Sequence, residues 1–76
     1  MKSNKKKLIL CNDDVNSFDD VIFALMEICE YNIYQAEQCA LIVHNSGTCL
    51  LKEGEKDVVG WYGRRLSDMG LKIKII

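Results

Sequence analysis

Leu8-Ile9-Leu10-Cys11-Asn12-Asp13-Asp14 decides the fold. Four apolar residues stopped by three turn-forming polar ones read as a short strand over residues 7–11, covered on at least one face and released into a loop. Beyond it the apolar residues recur at helical spacing. Asn16 or Ser17 caps a first helix, with Asp19 or Asp20 as the capping-box partner, and Phe18, Val21, Ile22, Leu25, Ile28 and Cys29 form its inward stripe as far as Tyr31. Asn32, followed three residues later by Gln35, caps a second helix with Ile33, Ala36, Cys39, Ala40 and Val43 inward. Gly47 ends that helix in the left-handed position.

Residues 48–52 then read as a strand, Glu53 and Gly54 as a turn, and residues 55–69 as a third helix with Val58, Val59, Tyr62, Leu66 and Met69 facing inward. Gly60 and Gly63 each weaken that helix by about 1 kcal/mol against Ala, a cost consistent with close packing on a neighbour. Gly70 closes it, and residues 71–76 form a last strand with Leu71, Ile73 and Ile75 on one face and Lys72 and Lys74 on the other. The order β-α-α-β-α-β predicts an α+β domain of two layers, with three helices covering a three-stranded, mostly antiparallel sheet.

Seventy-six residues suffice for one core, so residues 7–76 are expected to form a single domain behind a short flexible tail of residues 1–6. A hydrophobic fraction of 49% excludes the disordered class. No apolar run approaches the ~20 residues that cross a bilayer, so no membrane partner is expected. The apolar stretch behind the first lysines is too short for an export signal. Cys11, Cys29, Cys39 and Cys49 show no paired spacing, and read as small buried hydrophobes of a reducing cytoplasm. No metal and no cofactor are expected.

Charge is segregated along the chain. Lys2, Lys5, Lys6 and Lys7 open it, no Lys or Arg follows between Leu8 and Leu51, and that middle carries Asp13, Asp14, Asp19, Asp20, Glu27, Glu30 and Glu37. Such a surface excludes nucleic acid, which needs clustered cations, and suits a cationic ligand. Most of these acids solvate helix faces. Asp13 and Asp14 differ, because adjacent carboxylates at a strand end repel unless a positive group stands near.

Asn12, Asp13 and Asp14 sit where strand hands over to helix, and His44 sits on the last turn of the second helix. An amide carbonyl, a carboxylate and a neutral imidazole all accept hydrogen bonds, so together they suit an ammonium with three donors. Ala40, Val43 and His44 share one helix side by their spacing, which sets an apolar wall beneath that rim. Turn chemistry and the helix dipole account for the same residues without a ligand, and residue types alone leave both readings open. Catalysis by His44 with Asp13, Asp14 or Cys11 is not expected, since there is one histidine and no glycine-rich oxyanion or phosphate loop.

The strand ending in Asn12-Asp13-Asp14, and the helix Gln35-Ala36-Glu37-Gln38-Cys39-Ala40-Leu41-Ile42-Val43-His44-Asn45-Ser46-Gly47, resemble the ClpS family of Clp protease adaptors over most of the chain. The resemblance implies a cytoplasmic, non-enzymatic adaptor for N-degrons. Its partners would be proteins beginning with Leu, Phe, Tyr or Trp and an AAA+ unfoldase of the ClpA type that feeds ClpP. Carried over by position, Asn12, Asp14 and His44 would hold the substrate's α-amino group with Asp13 beside them. Leu10, Asn16, Phe18, Val21, Ala40, Val43 and Leu71 would wall the side-chain pocket, and Lys56 falls near a position used for docking on the unfoldase. Phe18 and Ala40 stand where the family commonly has methionines, and Asn16 where Thr is usual, which reshapes the pocket. The segment ahead of the first strand is shorter than the family's extension. The alternative is a protein-interaction module on the same fold that reads no N-degron.

Overall fold

A computed structural model describes residues 5–76 and contains the six elements in the expected order. They are β1 (Lys5–Cys11), α1 (Phe18–Ile28), α2 (Ile33–Ser46), β2 (Thr48–Glu55), α3 (Lys56–Asp68) and β3 (Ile73–Ile75). The sheet runs β2-β1-β3 with both pairings antiparallel. β1 is therefore the central strand, and its Leu8 and Leu10 are buried against the helical layer beside Leu25, Ala36, Val43, Val59 and Leu66. This is the two-layer α+β arrangement.

Local chemistry sets the helix ends as the sequence implies. Ser17 and Asp20 cap α1 reciprocally, and Asn32 and Gln35 do the same for α2. Gly47 ends α2 at φ 91°, a conformation that costs an L side chain about 1–2 kcal/mol. Beyond α3 the Leu71 N–H bonds to Leu66 O (3.1 Å) and the Gly70 N–H to Ser67 O (2.9 Å), the paired bonds of a Schellman motif. Leu71 is thus the buried hydrophobic closure of that motif, and β3 starts two residues after it.

Glu53 and Gly54 do not turn. β2 continues through them, so that Lys7 stands opposite Glu53, Lys6 opposite Gly54 and Lys5 opposite Glu55. Opposite charges directly across an antiparallel pair favour that extension, and it draws Lys5 and Lys6 of the expected tail into β1. Residues 1–4 of that tail lie outside the described residues. Register shifts between Leu8 and Ile9, leaving Leu51 as the extra residue of a bulge, and the Tyr31 hydroxyl donates to its carbonyl at 2.7 Å. Burial pushes the Tyr31 phenol up to about 12.

Several residues expected to face inward do not. Phe18, Ile33, Val58 and Met69 are exposed, while Ala24 and Gly63 take buried positions. Ile33, Val58 and Met69 lie in the first or last turn of their helices, and Phe18 opens α1. A Cβ on Gly63 would lie 3.1 Å from Ile75 Cδ1 and 3.3 Å from Leu8 Cδ1, whereas one on Gly60 meets nothing within 4 Å. Gly63 is the close approach of α3 to the sheet, and Gly60 is not. Gly63→Val is expected to cost about 1–3 kcal/mol by overpacking, and Gly60→Ala to stabilise by up to about 1 kcal/mol. Urea titration of both variants checks the pair; equal effects would contradict it.

All four cysteines are free, with Cys29 and Cys49 buried and Cys11 and Cys39 half-buried. Burial raises the Cys29 thiol above its ordinary value, and burial with the neighbouring Cys49 thiol pushes Cys39 up to about 12. Thiols held protonated in this way act as packing groups and not as nucleophiles.

Candidate functional site

The loop between β1 and α1 is held at both ends. At its start the Asn12 N–H donates to Gly47 O at 2.8 Å, which ties the end of β1 to the C-terminus of α2. Asp13 then organises the turn: its Oδ1 accepts from the N–H groups of Val15 (2.9 Å) and Asn16 (2.8 Å), and its Oδ2 from Asn16 Nδ2 (3.1 Å). Asn16 Nδ2 also donates to Gly70 O at 2.7 Å, reaching the turn after α3.

These bonds hold the Asp13 carboxyl below its ordinary value. The Asn16 N–H contributes most, burial opposes it, and the Asn16 side chain and the Val15 and Lys72 N–H groups add to the lowering. The folded value therefore lies below the unfolded one of about 3.9, so the stability Asp13 contributes is present above about pH 4 and is lost as pH falls through the folded value. Asp13→Asn should destabilise the protein at neutral pH and flatten the acid limb of its stability profile. Thermal unfolding from about pH 7 down to about pH 2.5 reads both; parallel profiles for the two proteins would contradict this role.

A cavity of about 300 Å³ opens between this loop and the last two turns of α2. Asn12, Asp13, Asp14 and His44 line its polar side, Phe18, Val21, Ala40 and Val43 its apolar side, and Asn16 and Ser17 the wall between them. The volume is at the small end of ligand pockets, about 300–1,000 Å³, and suits one side chain better than a larger molecule. Buried Ala40 and Val43 and exposed His44 lie on one side of α2, while Phe18 and Val21 present the facing side of α1. Phe18 is 42% exposed because it lines this opening instead of the core.

The side chains around the cavity divide into two kinds. Both Asp13 oxygens accept bonds within the loop, both Asn16 Nδ2 hydrogens are donated, to Asp13 and to Gly70 O, with Asn16 Oδ1 left over, and the Ser17 hydroxyl accepts from the Asp20 N–H. Asn12, Asp14 and His44 make no side-chain hydrogen bond among the described residues. Three unemployed acceptors thus stand over an apolar recess, an arrangement able to take a cation attached to a hydrophobic group. Leu10 and Leu71, expected in the wall, do not line this cavity and lie in the core cluster to which Val43 also belongs. Ser17 is the lining residue that sequence reasoning missed as such; its place directly before Phe18 on the capped turn was the available signal.

Lys56 opens α3 next to Glu55, at the Lys5 end of β1, and the cavity lies at the Cys11 end. Six strand steps of about 3.3 Å separate those ends by about 20 Å. A second concavity of about 390 Å³ runs between α1 and α3, lined by Glu27, Ile28, Glu30, Trp61, Tyr62 and Arg65. Its aromatic rings are already covered by the chain's own cations, Arg65 over Trp61 at 4.8 Å and Lys52 over Tyr62 at 4.5 Å. Among the described residues no three His, Cys, Asp or Glu side chains gather in a way that would hold a metal ion.

Residues 1–73 match the family model described as ATP-dependent Clp protease adaptor protein ClpS. Relatives include the ATP-dependent Clp protease adapter proteins ClpS of Campylobacter jejuni strains 81-176 and RM1221, each 45% identical over 42 residues. That stretch is 55% of this chain and 44% of each relative, so the match spans less than half of the relatives' length. Among solved structures, Agrobacterium tumefaciens ClpS2 bound to L-phenylalaninamide aligns with a TM-score of 0.93. The alignment covers 99% of this chain and 98% of that one at 17% identity, a likeness of fold.

Proposed function

The chain belongs to the ClpS family of Clp protease adaptors, and from that premise we propose that its cavity receives the first residue of an N-degron. The observation that carries the reading is the set of unemployed acceptors, Asn12, Asp14 and His44, above an apolar recess sized for one side chain. The α-ammonium of a polypeptide brings three donors to that rim, and its first side chain enters between Phe18, Val21, Ala40 and Val43. L-phenylalaninamide, carried by the ClpS2 structure, joins a free α-amino group to an apolar ring, and this supports the same ligand class here.

Two terms select the substrate. Burying a Leu or Phe side chain stabilises by about 1.5–3 kcal/mol, and each charge-assisted bond to the ammonium adds about 1.5–3 kcal/mol before desolvation. An internal or acetylated residue keeps the first term and loses the second. In this reading the adaptor chooses first residues among Leu, Phe, Tyr and Trp and passes the substrate to a cytoplasmic AAA+ unfoldase of the ClpA type, performing no chemistry itself. Lys56 lies far from the cavity, so a partner docked there would leave the recess open.

Fluorescence anisotropy with labelled peptides beginning Leu, Phe, Tyr or Trp, each compared with its N-acetylated form, tests the proposal. Binding of the free peptides should weaken by about a hundredfold on acetylation, the loss of at least one charge-assisted bond together with the ion's attraction. It should weaken in the same direction for His44→Ala. Failure of every free peptide to bind would sink the reading and leave an interaction module that reads no N-degron.

A further inference from the structure

We propose that Asn16 is a positioning residue: its side-chain amide, held between the Asp13 carboxylate and the Gly70 carbonyl, fixes the backbone on which Asn12 and Asp14 stand. The inference rests on the reading that the cavity takes an N-terminal amine. It goes beyond the place Asn16 takes in the cavity wall, because both hydrogens of Nδ2 are committed away from any ligand, one to Asp13 Oδ2 at 3.1 Å and one to Gly70 O at 2.7 Å.

Asp14 has no internal bond of its own and is exposed. Its place is therefore dictated by its two neighbours in the chain. On one side Asp13 is anchored, and on the other the Val15 N–H is bonded to Asp13 Oδ1 at 2.9 Å. The Asp13 carboxylate can hold that geometry only while it is itself oriented, and the Asn16 amide orients it from the side opposite to the Val15 bond. Through Gly70 the anchor reaches the Schellman turn that closes α3, a rigid element, and the Cys11 N–H to Lys72 O bond (2.9 Å) clamps the same turn to the end of β1. Asn12 is steadied separately by Gly47 O. The rim is thus suspended between the ends of α2 and α3, with Asn16 as the side chain that spans to α3. Recognition of an ammonium by preplaced acceptors depends on such support, since a misplacement of about 0.5–1 Å forfeits most of a charge-assisted bond.

The test separates positioning from wall contact. Asn16→Leu keeps the size of the side chain and removes both donors, and Asn16→Thr retains one. For each variant, affinity is measured for a Phe-initiated peptide and its N-acetylated form, with thermal unfolding of the ligand-free protein as the check on folding. A positioning residue acts on the free amine alone. The ratio of the two affinities should fall by about tenfold or more in Asn16→Leu and by less in Asn16→Thr, with acetylated-peptide binding unchanged. Folded Asn16→Leu with the wild-type ratio, or with both affinities lowered by the same factor, would overturn the proposal. Should Asn16→Leu not fold, an undiminished ratio in Asn16→Thr does so. A wild-type protein that itself fails to distinguish the two peptides instead removes the N-degron reading on which this rests.

Discussion

Leu10→Ala is expected to unfold the protein at room temperature, not to enlarge its cavity. Leu10 is 1% exposed on the central strand and belongs to the cluster that includes Leu8, Leu25 and Leu66. Truncating a buried leucine costs about 2–5 kcal/mol through lost transfer energy and the void left behind. A single core in a chain this short supplies only about 3–5 kcal/mol in total. The substitution therefore consumes most or all of the stability, and circular dichroism in a urea titration should show little or no folded baseline. A folded variant that merely accepts larger first residues would place Leu10 in the wall, as the family resemblance implied, and would contradict the expected loss of fold.

Asp14→Asn should do the reverse, leaving the fold intact while weakening free-amine binding by about tenfold or more. Asp14 is exposed and makes no internal hydrogen bond, so its replacement removes nothing that holds the protein together, and surface changes of that kind stay within about 0.5 kcal/mol. What it removes is the one unengaged negative charge at the rim, whose attraction for an ammonium no neutral amide replaces. Asp13→Asn is the internal contrast, because that carboxylate is consumed by Val15 and Asn16 and its loss should appear first in stability. Thermal unfolding beside peptide titration distinguishes the neighbours. Equal losses of binding with no loss of stability in both variants would mean that the two carboxylates share the ligand.

Local patterns carried the element order. Period-3.6 stripes, the reciprocal caps Ser17 with Asp20 and Asn32 with Gln35, and the glycines at 47 and 70 act within a few residues of themselves, so they are readable without knowing what packs where. The grouping of Asn12, Asp14, Ala40, Val43 and His44 about one recess came from the resemblance to the ClpS family, since turn chemistry and helix spacing by themselves left the ligand-binding and ligand-free readings both open. The left-handed backbone at Glu30 (φ 58°) was not legible, since Glu carries no local signal for that conformation.

Tertiary structure alone decided the rest, wherever the determining partner is remote in the chain. Glu53 and Gly54 read as a turn until Lys7 and Lys6 stand opposite them and extend the strand. Leu10 and Leu71 are apolar residues close to the polar loop in sequence, yet the sheet and the Schellman turn direct them into the core. Gly60 and Gly63 are alike in sequence, and only the position of Ile75 and Leu8 gives one of them a reason to be glycine. Asp13 and Asp14 carry the same side chain one position apart. The N–H groups of Val15 and Asn16 and the Asn16 side chain engage the first and leave the second to face the recess, because adjacent residues in a turn point in different directions, and the remote group is Gly70 O, which holds the Asn16 amide in place.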